Sequence, residues 1–144
     1  MVDSVTIYTD GAARGNPGPS ASGYIAIKGG KVVHSEFEYS GIKTNNYAEY
    51  HAMEMALGWC LDSLSEPNTA KISLFSDSEL VVRQLNGQYK TKVSKLKDLK
   101  KRVVELAKKF GSVKFENLPR EDRHISDVDR ELNLLLDAST RKDL

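Results

Sequence analysis

The chain has 144 residues, and its hydrophobic content of 40% and charged content of 28% are ordinary for one globular domain, which we expect to span residues 1–144. Its single cysteine, Cys60, excludes an intrachain disulfide framework and a cysteine-rich zinc site, and its apolar surroundings indicate a buried structural thiol. No apolar run approaches the roughly 18 residues of a membrane span, and the amino terminus lacks a signal-peptide pattern, so we expect a soluble cytoplasmic protein.

The net charge of +1 gives the whole chain no signature of a polyanion-binding protein. The distribution of charge is uneven, because nine basic residues fall between Lys90 and Lys109 and only Asp98 and Glu105 oppose them. Such a segment indicates either a solvated helix face or a surface for phosphates, and both interpretations stay open.

Hydrophobic patterns predict an alternation of secondary structure in chain order. The predicted elements are strands 3–10, 20–28 and 31–39, a helix 45–63 capped by Thr44 or Asn45, a strand 71–76, helices 78–86 and 94–110, a strand 112–118, and a last helix capped by Ser126. The third strand alternates so that one of its faces is expected to be solvated. Three sequential strands followed by helix–strand alternation predict an α/β fold with a mixed sheet covered by helices.

Three acidic residues lie next to the boundaries of these elements. Asp10 is placed at the end of the first strand, Glu49 in the first turn of the first helix, and Asp77 after the fourth strand. Taken singly, they have ordinary interpretations as a turn residue, a helix-dipole acid and an N-cap. Parallel neighbouring strands would bring Asp10 and Asp77 together at one sheet edge, where crowded carboxylates are stabilised by divalent cations. Oxygen donors without histidine or cysteine indicate Mg²⁺ or Mn²⁺.

Three motifs resemble those of type 1 ribonuclease H (ribonuclease HI), in its compact archaeal and bacterial form. They are Tyr8-Thr9-Asp10-Gly11 with Gly15-Asn16-Pro17-Gly18, Thr44-Asn45-Asn46-Tyr47-Ala48-Glu49, and Ser76-Asp77-Ser78 with Leu80-Val81-Val82. The likeness runs from about residue 4 to residue 138. It implies a ribonuclease H-like fold with a five-stranded mixed sheet, three antiparallel strands and then two parallel ones, flanked by helices. The basic protrusion of larger members is expected to be missing, since only Gly87 to Val93 separate two predicted helices.

The resemblance also implies an activity, namely hydrolysis of the RNA strand of RNA–DNA hybrids. Two Mg²⁺ ions, or Mn²⁺, would be held by carboxylates, and the products would carry 5′-phosphate and 3′-hydroxyl ends. The catalytic and metal-binding residues would be Asp10, Glu49, Asp77 and a fourth acid, and the substrate-binding residues would be Gly15, Asn16, Asn45 and Asn46 in the minor groove and Thr44 on a DNA phosphate. We expect a monomer.

The fourth carboxylate has two candidates in this chain. An ungapped count from Pro119-Arg120-Glu121 leads to Asp127. The helical phase favours Asp129, because Val128 takes the small apolar position before the acid and the leucine stripe follows in register. We therefore predict Asp129 and keep Asp127 as the alternative.

Some positions depart from the family pattern, and other functions stay open. Glu79 stands where the family usually has an amide, so it either loses a ribose contact or supplies outer contacts to the metals. His124 falls in a predicted loop, where it either assists product release or is an ordinary exposed histidine. The alternative functions are a non-catalytic module that binds hybrids or double-stranded RNA, and an activity broadened to RNA–RNA duplexes.

Overall fold

A single mixed sheet forms the centre of the fold, and the computed structural model describes residues 2–91 and 93–140. The strands are β1 (Ser4–Ala13), β2 (Gly18–Lys28), β3 (Lys31–Lys43), β4 (Lys71–Ser76) and β5 (Ser112–Asn117), and the helices are α1 (Asn45–Ser63), α2 (Glu79–Leu85), α3 (Ser94–Ala107) and α4 (Arg123–Thr140). A short 3₁₀ turn, Pro67–Thr69, precedes β4. None of the helices in the described ranges has the length and apolar character needed to cross a membrane.

The strand order is β3-β2-β1-β4-β5. β1 pairs antiparallel with β2, and β2 pairs antiparallel with β3, whereas β4 is parallel to both β1 and β5. Gly29 and Gly30 close the β2–β3 hairpin with φ angles of 59° and 77°, the left-handed conformation that a tight hairpin turn requires. The predicted sheet, with three antiparallel strands followed by two parallel ones, is confirmed.

Helices cover the two faces of the sheet unequally. On one face α1 lies between the sheet and α3, and its buried side chains belong to the larger core, which includes Cys60 at 0% exposure. On the other face α4 covers β1, β2 and β3 with Val128, Leu132 and Leu136. Because α1 is enclosed on both sides, its position relative to β1 is firmly fixed.

Two predicted strands differ from the structure. β1 does not end at Asp10 but continues to Ala13, because its pairing with β2 extends to Ala13↔Ser20 although its pairing with β4 ends at Tyr8↔Phe75. β3 extends to Lys43, beyond the predicted end at residue 39, and none of its residues is buried, so the face opposite the solvated one is only partly covered. β3 is an edge strand, and α4 covers only part of it.

The last helix begins earlier than predicted. Asp122, not Ser126, caps it, since its Oδ1 accepts from the backbone amides of His124 and Ile125 at 3.0 and 3.1 Å. The Ser126 hydroxyl instead donates to the Arg120 carbonyl. The prediction failed because several residues before the apolar stripe could cap a helix, and Ile125, which is fully buried, extends the stripe backwards. At the other predicted cap, Thr44 accepts from the Tyr47 amide, as expected.

Residues 86–93 join α2 to α3, and the described part of this segment contains no additional helix. The expected absence of a basic protrusion agrees with this short connection. On α3 the apolar residues Leu96, Leu99 and Val103 are buried, while most of the lysines face solvent.

Candidate active site

Three carboxylates meet where the parallel part of the sheet ends. Asp10 lies in β1 just beyond the last parallel pair with β4, and Asp77 directly follows β4. Glu49 projects from α1, just past the first helical turn, which contains no acid. One carboxylate oxygen of each residue lies within 4.8 Å of the others. Asp10 is 3% exposed and Glu49 is 7% exposed, so their charges are largely removed from water.

A glycine allows α1 to approach β1 closely enough for this arrangement. A Cβ atom on Gly11 would lie 2.2 Å from the Ala48 carbonyl carbon and 2.4 Å from the Glu49 amide nitrogen. No side chain fits in that space, because real Cβ atoms do not approach backbone atoms so closely. From β2, the Ser22 hydroxyl donates to the Ala48 carbonyl at 2.7 Å. The backbone of α1 is thereby held directly on the sheet beside Asp10.

The ordinary interpretations of the three acids do not hold in the structure. Asp10 lies inside a strand rather than a turn, and its Oδ1 accepts from the Gly11 amide at 2.9 Å. The N-cap of α2 is Ser78, whose hydroxyl accepts from the Val81 amide, and not Asp77. Glu49 lies beyond the first turn of α1, where the effect of the helix dipole is already weak. The roles of turn residue, N-cap and helix-dipole acid therefore do not explain why these three carboxylates lie together.

The electrostatics of the three acids favour a bound cation. Burial, and next the charges of Glu49 and Asp77, raise the pKa of Asp10. Burial, followed by the charge of Asp77, also raises the pKa of Glu49, although the Ser76 hydroxyl donates to it at 3.3 Å. The pKa of Asp77 is raised by burial and opposed by Arg120, whose Nε lies 3.7 Å from Asp77 Oδ2. Carboxylates that hold protons so firmly are suited to exchange them for a hard divalent cation such as Mg²⁺ or Mn²⁺.

The structure distinguishes the two candidates for the fourth acid. Asp129 lines a cavity of about 520 Å³ together with the three acids, and its charge raises the pKa of both Asp10 and Asp77. It is not part of the set whose oxygens lie within 4.8 Å. Asp127 lines a different cavity, beside β2 and β3, and pairs with Arg130 at 3.1 Å. Asp129 is therefore the acid of α4 that faces the other carboxylates.

The amino end of α1 and the turn after β1 are joined by hydrogen bonds. Asn45 Oδ1 accepts from the Ala13 amide at 2.8 Å, and the Asn45 amide donates to Asn16 Oδ1 at 3.1 Å. Gly15 occupies the turn with a φ of 103°, a conformation that favours glycine. These contacts hold the turn and the helix as one surface.

Four of the five predicted substrate-binding residues lie along two adjacent cavities, and Gly15 lines neither of them. Asn45 and Asn46 line the cavity of the acids, whereas Asn16, Thr44 and Asn46 line a second cavity of about 440 Å³. Lys95, from the basic segment, lines the second cavity, so at least one of these lysines lies near the predicted phosphate contact. Asn46, which is common to both cavities, connects them.

Two other expectations take a different form in the structure. Glu79 does not line the acid cavity and instead pairs with Arg83 at 2.6 Å. His124 lies in the first turn of α4 rather than in a loop, with its ring 4.4 Å from that of Tyr8. Neither position could be read from the local sequence, because each depends on where a helix begins and which face it presents.

Sequence reasoning gave no role to Arg120, which lies beside Asp77, or to Arg14, which contacts α4. Arg120 follows β5, the neighbour of β4, so its position after a predicted parallel strand was an available signal. For Arg14 no local signal existed, since its partners lie at the opposite end of the chain.

Comparisons with known proteins agree with this geometry. Residues 2–119 match the family described as RNase H. The chain is 36% identical over 125 residues to ribonuclease HI of Halobacterium salinarum, an alignment that covers 86% of this chain and 61% of the relative. The chain thus spans about three fifths of the length of that relative.

Two solved structures superpose closely on the fold. One is LC11-RNase H1, isolated from compost and crystallised in complex with an RNA/DNA hybrid, with a TM-score of 0.87, 33% identity, and coverage of 94% of this chain and 99% of that chain. The other is the N-terminal RNase H domain of rv2228c from Mycobacterium tuberculosis, with a TM-score of 0.88, 29% identity and 99% coverage of both chains. These superpositions confirm the fold that the sequence motifs imply.

Proposed function

The chain belongs to the ribonuclease H family, and we propose that it is an endoribonuclease that hydrolyses the RNA strand of RNA–DNA hybrids. The observation that carries the proposal is the convergence of Asp10, Glu49 and Asp77, largely buried and with oxygens within 4.8 Å of one another. The superposition on a relative crystallised with an RNA/DNA hybrid supports the choice of substrate.

Asp10, Glu49, Asp77 and Asp129 are the proposed catalytic residues, and they would hold two divalent cations, Mg²⁺ or Mn²⁺. The donor set fits these ions, because it consists of carboxylates at one cavity whose pKa values are raised when no cation neutralises them. Bound there, such ions would activate a water molecule and stabilise the charge that develops on the phosphodiester.

The reaction itself is a hydrolysis. The oxygen of water forms a bond to phosphorus, the bond from phosphorus to the 3′ oxygen breaks, and the departing 3′ oxygen takes a proton. The products therefore carry a 5′-phosphate and a 3′-hydroxyl. Because the acid cavity excludes much of the solvent around Asp10 and Glu49, charge interactions there are stronger than in open water.

Recognition of the RNA strand is assigned to the surface beside the acids. Gly15, Asn16, Asn45 and Asn46 would contact the minor groove, where the 2′-hydroxyl distinguishes RNA from DNA. Thr44, in the adjoining cavity, would contact a phosphate of the DNA strand. This assignment is supported by the shared wall of the two cavities, which places amide groups next to the carboxylates.

The proposal is tested with labelled RNA–DNA, RNA–RNA and DNA–DNA duplexes, each with Mg²⁺, Mn²⁺ or a chelator. We expect cleavage of the hybrid only with a divalent cation, and RNA fragments that a 5′-phosphate-dependent exonuclease degrades. Cleavage of RNA–RNA duplexes as well would broaden the substrate range. Hybrid binding without cleavage at any metal concentration would refute the enzymatic proposal and indicate a binding module.

The fourth acid is tested by two matched substitutions on α4. Asp129→Asn is expected to lower kcat by about 100-fold or more, as removal of an electrostatic group from a catalytic site commonly does. Asp127→Asn, which changes the same type of residue one half-turn away, should leave kcat near the wild-type value. The opposite pattern would assign the fourth carboxylate to Asp127.

We also propose that residues 1–144 act as one ribonuclease H domain and as a monomer. The two cores that support this lie on opposite faces of the same sheet, so neither forms an independent unit. Light scattering of the purified chain alone is expected to give the mass of one copy. With a hybrid just long enough to hold one molecule, it is expected to give the mass of one copy bound to one duplex. A stable dimer would refute the monomer.

A further inference from the structure

Arg14 connects the turn after β1 to helix α4, at the far end of the chain. Its Nη2 lies 2.7 Å from Asp137 Oδ1 and donates to the carbonyl oxygen and the Oδ1 of Asn133 at 3.2 and 3.3 Å. The backbone amide of Arg14 donates to the Pro19 carbonyl at 2.8 Å, which fixes the start of the turn. One guanidinium group therefore joins two parts of the molecule that the chain itself does not connect.

Asn133, one of the two residues that Arg14 contacts on α4, is hydrogen-bonded to the fourth acid. Asn133 lies one turn after Asp129 and donates from Nδ2 to the Asp129 carbonyl at 3.0 Å. Both residues line the cavity of the acids. In the turn after β1, Arg14 immediately precedes Gly15 and Asn16, the residues assigned to the minor groove. The contact thus lies between the proposed substrate surface and the proposed metal site.

The apolar side of α4 determines the position of the helix less precisely than the hydrogen bonds and the ion pair of Arg14 do. Val128, Leu132 and Leu136 hold the helix on the sheet, but apolar burial is not directional and constrains sliding and rotation only through shape. The directional contacts of Arg14 are made to two successive turns of the helix, at Asn133 and Asp137. All three of these contacts are made by the single nitrogen Nη2, so they fix where the guanidinium group lies against the helix.

We propose that Arg14 is a positioning residue that sets the register of α4 and so holds the Asp129 carboxylate toward Asp10 and Asp77. This inference rests on the proposed function, since it assigns Asp129 to the metal site. The Arg14–Asp137 pair is partly exposed, at 38% and 49% of the two side chains, so it contributes little to global stability. Its effect is on the placement of Asp129, which hydrolysis requires to be accurate.

The test removes the contact from each side in turn. Asp137 lies outside the acid cavity and does not belong to the turn after β1, so Asp137→Ala disturbs the contact without touching either proposed surface. We expect Arg14→Ala and Asp137→Ala each to lower kcat on the hybrid by about tenfold, and the double variant to be no worse than Arg14→Ala. Titration calorimetry should show weaker Mn²⁺ binding in both, and Arg14→Lys, which keeps the positive charge, should lose less of kcat and of Mn²⁺ binding than Arg14→Ala.

Arg130→Ala is the matched control, because Arg130 also pairs with an aspartate on α4 but faces the other cavity. It should leave kcat, Mn²⁺ binding and melting temperature unchanged. If Arg14→Ala raises KM while Asp137→Ala is indistinguishable from wild type, Arg14 contacts nucleic acid directly and the inference is wrong. If both variants lower only the melting temperature, the contact is structural and the inference is also wrong. A wild-type chain that binds Mn²⁺ but does not cleave hybrids would refute the proposed function instead, and the calorimetric comparison would still test Arg14.

Discussion

Replacing Asp10 with asparagine measures how strongly the buried carboxylates repel one another when no cation is bound. Asp10 is 3% exposed, and one of its carboxylate oxygens lies within 4.8 Å of oxygens of both Glu49 and Asp77. At an effective dielectric constant of about 20, two unit charges at that separation repel by about 3.5 kcal/mol. The repulsion can destabilise the fold by no more than the free energy of protonating Asp10, because protonation removes the charge. For an aspartate of ordinary pKa at pH 7, that free energy is about 4 kcal/mol.

Asp10→Asn should therefore stabilise the metal-free chain at pH 7 by about 2–4 kcal/mol, which corresponds to a rise of about 6–12 °C in melting temperature. The asparagine retains an oxygen for the Gly11 amide and gains a donor for the neighbouring carboxylates. The same variant should have no measurable hydrolytic activity. Melting in a chelator, followed by circular dichroism, gives the first quantity, and hybrid cleavage gives the second.

The stabilisation by Asp10→Asn depends on pH with a defined sign. Burial and the neighbouring carboxylates raise the folded-state pKa of Asp10 above its unfolded value, so the folded chain binds this proton more tightly. The contribution of this proton to the free energy of unfolding of the wild type is therefore fully present below about pH 4. It is lost as the pH rises toward the folded-state pKa of Asp10. The advantage of the variant should vanish near pH 4 and grow toward neutral pH.

A bound cation should stabilise the wild type more than Asp10→Asn, the opposite of the order expected without a cation. Mg²⁺ is expected to raise the melting temperature of the wild type in a saturable way and that of Asp10→Asn much less, and a chelator should abolish the difference. Asp62→Asn, an exposed site on α1, is the control and should shift melting by about 1 °C or less. An equal or lower melting temperature for Asp10→Asn throughout the pH range would refute the repulsion between the acids.

Three further predictions concern two residues beside the site and the buried thiol of the larger core. Gly11→Ala should destabilise the chain by about 3 kcal/mol or prevent folding, because its Cβ would meet the backbone of α1. In the control Gly58→Ala the new Cβ would have nothing within 4 Å, so this change should stabilise α1 by up to about 1 kcal/mol. Urea unfolding measures both. Ser76→Ala removes a donor to Glu49 and an acceptor for the amide two residues later, so it should cost about 1–2 kcal/mol in the same assay and lower kcat. Cys60 is fully buried and its burial raises the pKa of the thiol to about 12, so a thiol reagent should react only at the rate of unfolding.

Much of the fold was accessible from the sequence because its patterns are local and repeated. The stripe Leu96, Leu99 and Val103 predicted α3, and the paired glycines at 29 and 30 predicted the hairpin, and both are confirmed. The end of β1 was not accessible, since Gly11 resembles the beginning of a loop unless the pairing with β2 is known. Local propensity was outweighed there by a contact with a strand later in the chain.

The site was predictable to the extent that it depends on acids next to strand ends. Asp10 and Asp77 could be brought together by assuming neighbouring parallel strands, which the sheet order then confirms. The orientation of Asp129 required the phase of α4, which its apolar stripe supplied. The contact from Arg14 to Asn133 could not be predicted, since it depends on the exact height of one helix beside a turn.

Helix α1 carries Asn45 and Glu49 on the same rigid rod, and both side chains border the acid cavity. Four residues of α-helix rise by about 6 Å along the helix axis. Under the proposed assignment, α1 therefore fixes the distance between the amide that would contact a sugar and the carboxylate that would bind the cations. Inserting one residue between these two positions would rotate the Glu49 carboxylate by about 100° relative to Asn45, so the sugar contact and the cation ligand could no longer be used by the same bound substrate.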